Sequence, residues 1–530
     1  MISRKRMLVG ALTAPLPILG LAVAATPAGA APAPRVAVHG DVVSAVARSA
    51  RTGTVAANRA ISVAVSLAPR DAAALKAFAA SVTDPKSPLY KHYLAPGQFA
   101  ARFGAAPATI AQVTAYLQGQ GLTVGKVSGN GLVIDASGTA AQVEKAFNVS
   151  LSTYHDAKTQ QDYFANSAAP TLPLGIATSV VDVAGLSSFR AHTHFDRVRA
   201  VPDAKRHAVS GLTPTQARAA YDLASENANG YTGKGETIGL VEFSAFKQSD
   251  ITAYDKQFGL SAAAPTVVNV DGGTTDTSGQ DEAELDIEVI QALAPGATIK
   301  VYEAPNSSAG DVDLYSALVS ADVPIVSISW GSAESQVSSS NMSSDDTSYT
   351  SAASQGESFF AASGDNGSDD AGDGGTTLNT NSDGTYSSET AWSGSGGGTS
   401  SQFAQPKFQS GVTSDSNRDV PDVAAVGDPN TGWAIYTGGS WTQIGGTSAA
   451  APNWAAFTAV YDQYAAAKGK SALGFANSSI YADATGSDYA HDFHDVTSGS
   501  NGAFSAGSGY DQVTGWGSYD GANFITDNLG

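Results

Sequence analysis

Val323-Pro324-Ile325-Val326-Ser327-Ile328-Ser329-Trp330 is a short apolar run that closes on polar and aromatic residues. Glu236-Thr237-Ile238-Gly239-Leu240-Val241-Glu242-Phe243 has the same character upstream. Runs of this kind, alternating with helical segments from Gly211 onward, predict an α/β body built on a mostly parallel sheet with helices on both faces. In such sheets the chemistry lies beyond the C-terminal ends of the strands. The Gly-, Ser-, Asp- and Thr-rich stretch from Ser363 to Ser400 then reads as long active-site loops.

Upstream the texture differs. Ala60 to Leu67 alternates like a strand, and Asp71 to Val82 has helical spacing. A helix near Thr109 to Gln118, strands at Leu122 to Val127 and Gly131 to Ala136, and a helix over Thr139 to Phe147 follow. Strand–helix–strand, twice over, predicts a small α+β ferredoxin-like domain. Ala191 to Ser210 is basic, with Arg197, Arg199, Lys205 and Arg206, and reads as an irregular linker open to proteolysis. The expected organisation is a signal peptide over 1–30, a prodomain over 31–190, a processed linker over 191–210 and a catalytic domain over 211–530.

The signal peptide rests on Arg4, Lys5 and Arg6 ahead of the apolar run Met7 to Ala25, with small residues at Ala28-Gly29-Ala30. No later segment is apolar and long enough to span a bilayer. The mature protein is therefore expected outside the cell, free of the membrane. With no cysteine among 530 residues there is neither a disulfide nor a thiol nucleophile. From Gly211 onward 9 Lys and Arg face 39 Asp and Glu, a net −30, leaving 20 against 10 before it, a net +10. Such a split predicts two bodies that attract each other at neutral pH and makes nucleic acid an improbable partner for the acidic one.

Gly445-Gly446-Thr447-Ser448-Ala449-Ala450-Ala451-Pro452 leads from tight turns into an alanine-rich helix. Ser448 at the helix start is either an N-cap or a nucleophile held near anion-stabilising N–H groups. A histidine base is missing: none of the eight histidines lies between Gly211 and Ser448. The acidic helix Asp281 to Leu293 offers a substitute, since Glu282 and Asp286 share one face. Glu284 and Glu288 repeat the spacing on another face, and an acidic pair of this kind is ordinarily solvated. Asp365, in Ser363-Gly364-Asp365-Asn366-Gly367, follows an apolar strand end, as either an Asx-turn residue or a group reaching into a cleft.

Glu-x-x-x-Asp, Ser-Gly-Asp and Gly-Thr-Ser-x-x-x-Pro in this order resemble the sedolisin, or serine-carboxyl peptidase, family, and most closely its kumamolisin branch. The subtilisin-like architecture of that family is the fold the resemblance implies. Leu89 to Phe99 resembles the family's propeptide signature, and Arg418-Asp419-Val420-Pro421-Asp422-Val423 a segment ahead of the nucleophile. The resemblance implies Ser448 as nucleophile, Glu282 as general base, Asp286 as its orienting partner and Asp365 in the oxyanion hole. Glu242 and Trp330 match positions that extend the carboxylate network. The segment between Gly374 and Glu389 departs from the family's Val-Gly-Gly-Thr stretch. One calcium ion is implied near the C-terminus, on Asp495, Asp511 and the backbone oxygens of Val496, Gly507 and Gly509, an all-oxygen set suited to that cation. The neighbouring pair His491 and His494 reads as structural.

Function follows as a secreted endopeptidase, monomeric and made as a self-inhibited precursor that cleaves protein or peptide substrates. An aspartate donates to an oxyanion only when protonated, and at pH 7 that costs an ordinary Asp about 4 kcal/mol. Activity is therefore expected in acid. Acid is also expected to weaken the attraction between the two bodies and so start self-cleavage within about 191–211. The alternatives are a tripeptidyl-peptidase of the same family, an inactive binding module and a glycosidase using paired carboxylates.

Overall fold

The computed structural model describes residues 34–38, 40–193, 196–197, 209–367 and 373–530. The expected signal peptide lies outside these residues. The N-terminal body is a four-stranded antiparallel sheet of β1 (Ala60–Leu67), β2 (Thr123–Val127), β3 (Val133–Thr139) and β4 (Val180–Ala184), in the order β2-β3-β1-β4. Helices α1 (Ala72–Thr83) and α2 (Pro107–Gly119) connect β1 to β2, and α3 (Ala140–Phe147) follows β3. This is the ferredoxin-like order the sequence predicts. Apolar residues of one sheet face, among them Val63, Val65 and Ile134, pack with Leu75, Leu117, Val143 and Phe147 from the helices. Thr139 and Gln142 form a reciprocal capping box at the start of α3. The sequence reading misses a hairpin, Leu151–Asp156 with Gln161–Asn166, that pairs with Ala50–Thr54.

The C-terminal body is centred on a parallel sheet of β5 (Thr237–Glu242), β6 (Thr266–Asn269), β7 (Thr298–Glu303), β8 (Ile325–Ile328) and β9 (Ser358–Ala361), in the order β6-β7-β5-β8-β9. Four helices matter here: α4 (Gln280–Leu293), α5 (Ser308–Ser320), α6 (Ser339–Gln355) and α7 (Ala450–Ala467). Helices α4 and α7 sit in the main core, where Leu285, Val289 and Ile290 pack with Trp454, Phe457 and Val460. Every residue of α4 except Asp281 is buried, so the expectation of a solvated acidic face fails for Glu284 and Glu288. They are held by hydrogen bonds instead: Glu284 accepts from the Lys247 N–H (2.9 Å) and the Gln280 amide, and Glu288 from the Tyr436 N–H (2.8 Å).

The stretch Ser363 to Ser400 is not simply loop. Gly374–Thr380 and Tyr386–Ala391 form an antiparallel hairpin, and Gly374–Thr376 runs parallel to Ala424–Val426. Pairing partners distant in sequence impose these strands on a composition that reads locally as coil. The same holds in the linker. His192–Thr193 pairs antiparallel with Trp330–Gly331, and Asp196–Arg197 with Ile444–Gly445, so the linker is not irregular throughout.

The two bodies belong to one compact unit, residues 35–530. The propeptide-signature segment is a docking element: the Leu94 N–H donates to Ser354 O, the Lys91 ammonium to Ala472 O, and the Phe475 N–H to the Tyr93 hydroxyl. Among the described residues no helix is long and apolar enough to cross a membrane.

Candidate active site

Beyond the C-terminal ends of β5, β8 and β9 the structure gathers Glu242, Ser329, Trp330 and Asp365, as the parallel-sheet reading requires. Helix α4 enters this space at its N-terminus, with Glu282 in its first turn and Asp286 one turn deeper. The entry is close. A Cβ on Gly279 would lie 2.6 Å from the Trp330 ring, so only glycine fits at the N-cap of α4. On the other side Thr447–Ala449 forms a short turn into α7, placing Ser448 against the same cluster.

Hydrogen bonds hold two of these carboxyls in place. The Ser329 hydroxyl donates to Asp286 Oδ1 at 2.8 Å and lies 3.3 Å from the carbonyl oxygen of Ser448. The Trp330 indole donates to Glu242 Oε2 at 2.9 Å. Asp286 is also a charged neighbour of Glu242 and, after burial, the largest cause of its raised pKa. The Ser448 hydroxyl stands beside Glu282 and is the group that eases its raised pKa, although the Ser448 Oγ has no formed hydrogen bond. Apo sites are often loose in this way and tighten around substrate.

Glu242, Glu282, Asp286 and Ser448 all have 0 % exposure. Burial raises Glu282 well above the usual carboxylate range, and the charges of Asp286 and Glu242 add to the effect. Asp286 and Glu242 are pushed up chiefly by burial as well, with Ser329 and Trp330 pulling the other way. Carboxyls crowded like this titrate as a coupled set that keeps protons near neutrality. Asp365 Oδ1 accepts from the Thr447 N–H (2.8 Å) and hydroxyl (3.0 Å), and that hydroxyl accepts from the Gly364 N–H (2.9 Å). Asp365 is thereby fixed next to the nucleophile turn.

The structure thus brings together all six residues singled out for the carboxylate site. Sequence reading missed Ser329 and Thr447, which orient Asp286 and Asp365; each is the immediate neighbour of a residue it did select. It also missed Asp373, 7 % exposed, which lines the cleft with Oδ2 unpartnered. Neither C-terminal histidine joins the site: His491 bonds Asp527 at 2.7 Å, and His494 stacks on Tyr386 with 3.6 Å between ring centroids.

At the C-terminal loop, Asp495 accepts from the Gly509 N–H (3.1 Å) and the Ser508 hydroxyl, while Asp511 accepts from the Gly507, Val513 and Thr514 N–H groups. Burial raises the Tyr489 hydroxyl well above its usual range, and the charges of Asp495 and Asp511 add to the effect. Two carboxylates with the carbonyl oxygens of Val496, Gly507 and Gly509 make an all-oxygen donor set, which fits a hard divalent cation.

A buried serine beside a crowded carboxylate set, at the strand ends of a parallel α/β sheet, defines a serine hydrolase built on carboxyl groups. Known proteins agree. Residues 47–189 match the family model for the pro-kumamolisin activation domain, and residues 269–473 the model for the subtilase family. Kumamolisin from Bacillus sp. (strain MN-32) is 32% identical over 471 residues, covering 79% of this chain and 83% of that protein. Sedolisin from Pseudomonas sp. (strain 101) is 31% identical over 521 residues, covering 88% and 86%. A solved structure of Pseudomonas sedolisin, complexed with two molecules of pseudo-iodotyrostatin, superposes with a TM-score of 0.54 at 28% identity, over 60% of this chain and 98% of that one. The chain belongs to the sedolisin–kumamolisin family of serine-carboxyl peptidases, with an activation domain ahead of its peptidase domain.

Proposed function

We propose that this chain is a secreted, acid-active endopeptidase that works through an acyl-enzyme and matures by cutting its own linker. The single observation that carries the reading is Ser448 lodged beside Glu282, each with 0 % exposure. Ser448 Oγ attacks the scissile carbonyl while its proton passes to ionised Glu282, with Asp286 as the neighbouring acid one turn along α4. The oxyanion accepts hydrogen bonds from the Ser448 N–H and from protonated Asp365. Glu282 then protonates the leaving amine, and water repeats the sequence on the acyl-enzyme to release the acid product and restore Ser448. Base and oxyanion donor must be in opposite protonation states, which gives a bell-shaped profile in acid.

The linker dipeptides flank this site, paired with the strands next to Trp330 and Gly445, and this supports an intramolecular first cut. Export is supported by the basic, apolar and small-residue sequence of the first thirty residues. Asp495 and Asp511, with the carbonyls of Val496, Gly507 and Gly509, would hold one calcium ion. Bound there, the ion neutralises the two carboxylates and ties down the last loops; no proton transfer at Ser448 depends on it.

The test is a fluorogenic peptide assay at pH 4 on the purified precursor, Ser448→Ala and Glu282→Gln. Activity and self-maturation in the parent alone are expected. Undiminished cleavage by Ser448→Ala would refute the assignment. A peptide-library digest separates internal cutting from tripeptide release.

A further inference from the structure

The sequence predicts that opposite charges hold the prodomain to the peptidase body. The contact is built otherwise. The prodomain sheet meets α5 and α6 through small apolar residues, Ala64, Val133 and Ala184 against Ala309 and Val312. Hydroxyl contacts join them: Ser66 with Ser344 at 2.7 Å, and the Gly185 N–H with Ser308 Oγ at 2.9 Å. Set among these neutral contacts are acids from both sides.

Asp182 on β4, with Asp41 beside it, faces Asp311 on α5 and Asp345 on α6. All four line a cavity of about 1500 Å³ that opens between the bodies. The Ser340 hydroxyl donates to Asp182 Oδ1 at 2.6 Å. Asp182 is 1 % exposed and its Oδ2 has no hydrogen-bond partner. The remaining neighbours are Asn341 on Asp311, Asp346 near Asp345, and the hydroxyls of Tyr315 and Tyr349. A second group lies alongside: Asp135 on β3, Asp313 on α5 and Asp271 beyond β6, with an oxygen from each within 4.8 Å of the others. Among the described residues none of these seven acids has an ion-pair partner. The cations stay at the edge, where Lys76 pairs with Asp346 (3.3 Å), Arg190 with Asp276 (3.9 Å) and, with the charges reversed, Lys407 of the peptidase body with Asp84 of the prodomain.

We propose that protons shared between carboxyl groups across this contact hold the prodomain in place, so that acid tightens the hold and a shift above neutrality loosens it. Two ionised carboxylates facing each other repel, whereas one protonated partner donates a hydrogen bond to the other. The shifts agree: burial pushes Asp182 up to about 6, and burial with neighbouring acids pushes Asp311 to about 7 and Asp313 to about 11. Freed into water these groups return toward about 3.9. Docking therefore takes up protons, and the contribution is complete below about pH 4 and lost as pH rises through 6 and 7. In acid the prodomain leaves because its linker and then its own chain are cut, not because its contact weakens. This rests on the reading of residues 31–190 as an inhibitory prodomain, but the test needs no catalysis.

Hydrogen exchange of the full-length Ser448→Ala chain, corrected for intrinsic rates, is followed from pH 4 to 8. Protection of β4 and α6 is expected to fall at least tenfold between pH 5 and 8, while α7 stays constant. In the Asp182→Asn/Asp311→Asn variant of the same chain the fall is expected to flatten. Protection that is level or rises with pH in the parent overturns the proposal, and so does a variant that folds and keeps the parent's full pH response. Should the variant not fold, the parent series decides alone. Failure of the peptidase reading would show instead as inactivity of the unsubstituted chain at pH 4.

Discussion

Two sets of buried carboxyls occupy this molecule, one over Ser448 and one under the prodomain. Both are crowded and desolvated, and in both burial raises carboxyl groups above their ordinary range. They differ in what surrounds them. Over Ser448 each acid except the base has a fixed partner of another kind: Ser329 for Asp286, Trp330 for Glu242, Thr447 for Asp365. Glu282 alone has neither oxygen in a formed hydrogen bond. Under the prodomain the acids face one another across a surface that must part. The first arrangement aims a proton at one atom, and the second makes a surface sensitive to proton supply.

The two sets should differ most at Ser448, the proposed nucleophile. Ser448→Ala is expected to lower kcat/KM by roughly 10⁴-fold or more, as for residues that act as a unit, measured on peptide at pH 4, and to leave the precursor uncut on a gel. Asp365→Ala is expected to cost about 10²–10³-fold in kcat with KM little changed, as for one oxyanion donor; an unchanged kcat would remove it from the site. Asp311→Asn, in contrast, is expected to leave the kcat of the matured enzyme within about twofold, because it lies on α5 away from Ser448; a larger loss would merge the two carboxyl sets into one. Chelation of divalent metal should lower Tm by about 5 °C if the ion is present at a hundredfold its Kd, read by calorimetry with and without calcium. Gly279→Ala should be the mildest, about 1–3 kcal/mol from crowding against Trp330, seen as a lower denaturant midpoint.

The sequence disclosed most of the active site because its information there is local. Glu282 and Asp286 sit four apart on one helix, and Ser448 and Asp365 end recognisable turns. Ser329 and Thr447 were hidden because a serine or threonine hydroxyl has no pattern until its acceptor is placed. The fate of Glu284 and Glu288 was hidden for another reason: α4 is wrapped by protein all round, which its acidic spacing does not reveal. The charge split misled more deeply. Arg4, Lys5 and Arg6 belong to the expected signal peptide, and Arg197, Arg199, Lys205 and Arg206 to the linker. Residues 35–190 carry only 13 Lys and Arg against 8 Asp and Glu, and few of them reach the contact. Net charge describes a body, not the face it presents.

The linker dipeptides have a thermodynamic consequence. Their pairing with Trp330–Gly331 and Ile444–Gly445 is a main-chain ladder, a seat that other extended polypeptides can also take. What favours the resident segment is its tether, which sets an effective concentration on the order of millimolar for a short connection. Outside peptides well below that concentration lose the contest while the chain is whole. Under the proposed self-cleavage, one broken bond would turn an intramolecular occupant into an ordinary diluted competitor, and the first turnover would be the step that opens the enzyme to every other substrate.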